Sequence, residues 1–146
     1  MNIKQALKRK NVLVDQIKQE FTRLNQYNSI ESGNPRPYAP ADSLKNYLDL
    51  TNELIELKTE IHTANQPIYD KIFRLSEYKS VVKYLKALNC AEGKTSNRGG
   101  WMDKTEPTVM ESVIGIVERD TMVADFEQKI NTIQDELDYF NQVTVI

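Results

Sequence analysis

Cysteine, histidine and tryptophan occur once each in the 146 residues, as Cys90, His62 and Trp101. One cysteine forms no intramolecular disulfide, so no disulfide framework holds the fold. One histidine with one cysteine is too few for a zinc site of the usual kind. Glycine and proline are also scarce, five of each, and long stretches are free of helix breakers. No apolar run approaches the roughly eighteen residues of a membrane span. The opening Met1-Asn2-Ile3-Lys4-Gln5 has no hydrophobic signal core, which points to a cytoplasmic protein. An excess of positive charge is missing too. Nineteen basic against twenty-one acidic residues give a net charge of -2, which argues against a general nucleic-acid binder. No internal repeat or low-complexity segment is present.

What remains is helical patterning in a chain of one-domain size, 1–146. Ile3, Ala6, Leu7, Leu13, Ile17, Phe21 and Leu24 recur at helical spacing and predict a first helix over 2–28, with these residues inward. Ser32-Gly33-Asn34-Pro35-Arg36-Pro37 ends it. A second helix is expected from Asp42 or Ser43, either of which can cap it, to about Ala64. Its inner face reads Leu44, Leu48, Thr51, Leu54, Ile55, Lys58 and Ile61. Asn65-Gln66-Pro67 is a break. A third helix follows to about Leu88, with Ile68, Ile72, Leu75, Val82, Leu85 and Leu88 inward.

The helical signal vanishes over 89–108. Residues 109–117 are rich in Val and Ile around Gly115, which favours a short strand; a helix through Val109, Val113 and Ile116 is the alternative. The last helix, capped by Asp120 or Thr121, carries the clearest pattern. Val123, Phe126, Ile130, Ile133, Leu137 and Phe140 alternate at spacings of three and four, forming a coiled-coil-like seam suited to an oligomer. The β-branched tail, Val143-Thr144-Val145-Ile146, is expected to dock on another element, in a neighbouring subunit. The fold class is therefore mainly α: an antiparallel bundle of long helices in coiled-coil-like hairpins, with a short irregular or β insertion near 90–117.

Several of these residues resemble the septicolysin-like proteins, a family of small, poorly characterised helical bacterial proteins. The resemblance rests on Ala6-Leu7 with Arg9, Leu13, Ile17, Arg23 and Leu24. It includes the turn Glu31-Ser32-Gly33-Asn34-Pro35, the segment Ile61-His62-Thr63-Ala64-Asn65 and the closing stretch from Leu137-Asp138 to Thr144. His62 stands where the family tends to have Asn, and the closing tryptophan of the family's tail is absent. The resemblance implies an oligomer of packed helices and transfers no catalytic residue.

Little in the chain suggests chemistry. His62 has no carboxylate and nucleophile at triad spacing. Cys90 follows a helix C-terminus, where the dipole opposes a thiolate, and reads as a packed small side chain. Glu53, Glu56, Glu60, Asp135, Glu136 and Asp138 lack the Glu-x-x-His pairs of carboxylate metal bundles and read as solvated faces. The stretch 94–101 differs. It holds two cations, Lys94 and Arg98, with Asn97, the pair Gly99-Gly100 and Trp101. Glycines permit close backbone approach, Arg offers a bidentate fork for phosphate, and Trp offers a stacking face. With Lys83 and Lys86 of the basic third helix, these residues are candidates for binding a small phosphate-bearing molecule; the alternative is a plain surface loop with Trp101 tucked on the core. The leading expectation is a non-enzymatic helical protein that self-assembles and binds a partner. A small-anion or nucleotide-binding protein, including one for a cyclic nucleotide signal, is the alternative, and an enzyme of unknown type the third. No metal or cofactor is implied.

Overall fold

The computed structural model describes residues 1–95 and 107–146. Four helices carry most of the chain: α1 (Ile3–Tyr27), α2 (Pro40–Ala64), α3 (Tyr69–Lys86) and α4 (Ile116–Val143). A single 3-10 turn, Gln66–Ile68, lies between α2 and α3. Two three-residue strands, β1 (Gly93–Thr95) and β2 (Thr108–Met110), pair antiparallel between α3 and α4. The chain is thus mainly α with a short β insertion. It divides into two compact units, one made of residues 1–69 and 137–146 and the other of 70–136.

The first unit is built on the α1–α2 hairpin. Asn2 starts α1 with a reciprocal capping box: its Oδ1 accepts from Gln5 N at 2.9 Å, and its own N donates to Gln5 Oε1 at 3.0 Å. Two of the helix's orphan donors are satisfied this way. The loop 28–39 is fastened from within. Gly33 supplies the positive φ that its turn requires. Arg36 donates from Nε to Tyr27 O at 2.8 Å, closing a carbonyl left open at the end of α1. Tyr27 packs on Tyr38, and the Arg23 guanidinium lies 4.8 Å over the Tyr38 ring.

Helix α2 starts at Pro40, earlier than Asp42 or Ser43. Proline's fixed φ suits the first helical position, and Asp42 falls in the first turn, where its charge complements the helix dipole. Ala6, Leu13, Leu57 and Ile61 form the buried cluster, with Leu7, Leu50, Leu54 and Ile146 packed against it. The expected inner face of α2 is therefore displaced. Leu54 and Ile61 do face α1, but the buried row is Ser43, Leu57 and Ile61, while Leu44, Leu48 and Ile55 are exposed. Phe21 of α1, expected inward, is exposed as well. Helix α2 carries two apolar rows about 110° apart around its axis, and α1 covers only one.

The tail docks within its own chain, where a neighbouring subunit was expected. Ile3 N donates to Thr144 O at 3.1 Å and Ile146 N to Met1 O at 2.9 Å, and Asn2 forms a bridge with Val145. Asn2 Nδ2 also donates to Gln142 O at 3.0 Å, so one side chain both caps α1 and holds the end of α4.

In the second unit α3 and α4 pack as a helical hairpin. Lys71 pairs with Glu136 near one end, and Tyr78 meets Phe126 edge-on at 5.1 Å farther along. Helix α4 begins at Ile116, before Asp120 and Thr121, because the Gly115 carbonyl already accepts from Arg119 N at 3.0 Å. The strand reading of 109–117 holds for Val109 and Met110 alone. Pairing stops there because the facing strand is only three residues long, and Ile116 and Val117 join the helix.

Ile3 and Leu13 are the largest fully buried side chains among the described residues. Leu13→Ala should lower unfolding free energy by about 2–5 kcal/mol, whereas Leu48→Ala, at an exposed site, should cost well under about 1 kcal/mol at a concentration where the chain is monomeric. Urea titration followed by circular dichroism measures both.

Candidate functional site

The α4 seam is occupied within a single chain. Val123, Ile133 and Leu137 are buried, and Phe126, Ile130 and Phe140 are half-buried. Ile133 lines a groove of about 410 Å³ with Arg74, Tyr78, Asp125, Gln128, Lys129 and Thr132. The groove holds two cations, Arg74 and Lys129, and one acid, Asp125. Arg74 donates to the Tyr78 hydroxyl at 3.2 Å. This hydrogen bond, with the coulombic effect of Tyr78, raises the guanidinium pKa above its ordinary value, so Arg74 stays charged. Lys129 Nζ lies 5.0 Å from the Phe126 ring centre and 6.0 Å from that of Tyr78.

The cations proposed from sequence separate into three groups. Lys86 pairs with Glu127 at 3.0 Å, and Lys83 lies 6.0 Å from the ring centre of Tyr84, its neighbour on α3. Lys94 is in β1, opposite Val109. Asn97, Arg98, Gly99, Gly100 and Trp101 lie outside the described residues. Lys71 is also paired, with Glu136. Two of the five basic residues of α3, Lys71 and Lys86, are thus paired with acids of α4.

His62 and Cys90 lie apart, one near the end of α2 and the other after α3. His62 Nδ1 is hydrogen-bonded to the Tyr69 hydroxyl, which also donates to His62 O at 3.2 Å. The pair fastens the last turn of α2 to the start of α3. Cys90 is buried, beside a turn in which Ala91 N donates to Asn89 Oδ1. Among the described residues no group of three or more His, Cys, Asp or Glu side chains is arranged to hold a metal ion. No described helix is long and apolar enough to cross a membrane.

The α1–α2 hairpin presents the clearest asymmetry. One broad face is polar. It carries the Arg9–Glu53 ion pair at 2.6 Å, the Glu20–Arg23 pair at 3.0 Å, and a groove lined by Gln16, Gln19, Asn46 and Asp49. The other carries the second row of α2: Leu44, Leu48 and Ile55 are 45%, 50% and 57% exposed, with half-buried Thr51 between them. Phe21 extends this face across to α1. It packs on Tyr47 at 5.6 Å and shares a shallow groove with Leu24 and Leu44. The row was legible in the sequence, but as core. Periodicity finds an apolar stripe without saying what the stripe faces.

No family model matches the chain, and no curated protein or solved structure does either.

The burial of Ile133 makes it a control for intrachain packing. Ile133→Asp places a charge in an apolar site and should lower the melting temperature by several degrees. Because its neighbours belong to the same chain, the change should be the same in dilute and concentrated protein, as differential scanning fluorimetry across a dilution series would show.

Proposed function

We propose that this is a non-enzymatic helical protein that assembles with copies of itself and acts, in the cytoplasm, by binding a partner. One observation carries the reading. Among the described residues nineteen large hydrophobic side chains are exposed, whereas eleven hydrophobic residues are buried, and two of those, Ala6 and Cys90, are small. Scattered apolar residues are normal on any surface. Residues gathered in a row on one helix, such as Leu44, Leu48 and Ile55, are the kind of patch that marks association. Membership of the septicolysin-like family, with its implied oligomer of packed helices, belongs to the same proposal. The local ion pairs on α3 and the hydrogen-bonded His62 favour binding over catalysis.

The small-anion reading keeps one specific support, the groove of Arg74, Tyr78 and Lys129, where two cations stand beside an aromatic ring. Its other residues are Lys83, Lys86, Lys94 and the stretch 97–101.

Light scattering on the full chain tests the assembly. The expected mass is a multiple of 16.9 kDa at tens of micromolar; a monomer persisting to about 0.5 mM overturns it, because even interfaces near the ~1,000 Å² minimum populate there. Calorimetric titration with nucleotides and cyclic nucleotides separates the two readings. A ligand bound tighter than about millimolar, near -4 kcal/mol, and lost in Arg98→Ala would favour the second.

A further inference from the structure

The exposed row of α2 is self-complementary. Leu44, Leu48, Thr51 and Ile55 are separated by four, three and four residues, the alternation of a heptad seam. Leu44 and Ile55 lie equally far on either side of the midpoint between Asp49 and Leu50, and so do Leu48 and Thr51. A helix with this symmetry meets an inverted copy of itself in register, residue against residue, as an isologous two-fold interface requires. The row spans three turns, about 16 Å.

We propose that two copies of this chain pair through this row, antiparallel across a two-fold axis, with Leu44 against the second copy's Ile55 and Leu48 against its Thr51. The inference rests on the self-assembly reading above and says where the contact is made. Two further observations choose a second copy as the occupant. The first is charge. Lys45 and Glu56 flank the row on the same side of α2, near its opposite ends. Inversion brings Lys45 of each copy to within two residues, about 3 Å along the axis, of Glu56 of the other and on the same flank, giving two opposite-charge pairs. Neither residue has an ion-pair partner among the described residues of its own chain. A parallel two-fold pair exchanges the flanks, leaving Lys45 of one copy across the seam from Glu56 of the other, so the inverted arrangement alone forms these pairs. The second is the breadth of the surface. Phe21 stands next to Leu44, so each end of the paired rows is widened by an aromatic side chain. Half-exposed Thr51, at the centre, is small enough to let the two backbones approach.

The experiment uses the full chain with Cys90→Ala, so that introduced cysteines are the only thiols. Leu44→Cys and Ile55→Cys are made separately, mixed and oxidised. The expected product is a disulfide-linked heterodimer of the two, with little homodimer of either, because in the inverted pairing two copies of residue 44 lie about 16 Å apart along the axis. Leu48→Glu, at an exposed position, should leave the helical circular dichroism unchanged and weaken dimerisation at least tenfold by sedimentation equilibrium. Lys45→Glu should weaken it, and Lys45→Glu with Glu56→Lys should restore it. An assembly whose mass is unmoved by Leu48→Glu, or one that cross-links 44 to 44, overturns this interface while leaving self-assembly standing. A monomer overturns both readings. A monomer in which Leu48→Cys reacts slowly with a maleimide shows the row covered by its own chain, and that also sinks the proposal.

Discussion

Ala6 and Leu13 can meet Leu57 and Ile61 in only one rotational setting of α2, and that setting governs what the rest of the chain presents. These four side chains form the buried cluster of the first unit. It fixes which row of α2 is sealed and, by exclusion, which row is left. A helix of this length with one apolar row would turn that row inward and be finished. Helix α2 has two, about 110° apart, and a single neighbour satisfies one. The same setting sends Glu53 toward Arg9 and puts Asn46 and Asp49 on that same polar face, so the polar and apolar faces of the hairpin follow from one choice of phase.

The fold was legible to the extent that helical period and breakers report it. All four helices, the break at Asn65-Gln66-Pro67 and the β character of Val109-Met110 can be read from residue spacing. The phase of α2 was not. Leu44, Leu48 and Ile55 are larger and more regular than the row beginning at Ser43, and pattern alone prefers the larger row. The competing row wins because it meets Ala6, whose small side chain admits close approach of the helices, and Leu13. Those partners are distant in sequence and leave no mark on the local period. Helix starts were misplaced for a related reason. Side-chain caps such as Asp42 and Thr121 are visible signals, whereas Pro40 at the first helical position and the backbone carbonyl of Gly115 are quieter ones.

The candidate cations show a similar limit. Lys86 and Lys83 read from sequence as available charge, but Glu127 is forty-one residues from Lys86 and the pairing appears only when α3 meets α4. Exposed ion pairs of this kind contribute little stability, about 0–1 kcal/mol. Their effect is on the surface field, since each removes a free positive charge from a helix that would otherwise present a basic stripe.

The first unit is discontinuous, since residues 137–146 complete what residues 1–69 begin. During synthesis the α1–α2 hairpin leaves the ribosome first. It then waits for the rest of the chain, with Asn2 lacking the Gln142 carbonyl and the buried cluster lacking Ile146. At a translation rate of roughly 5–20 residues per second, that interval lasts several seconds. A nascent chain in this state shows both the finished face of α2 and an unfinished end, so its exposed apolar surface is greatest before synthesis is complete.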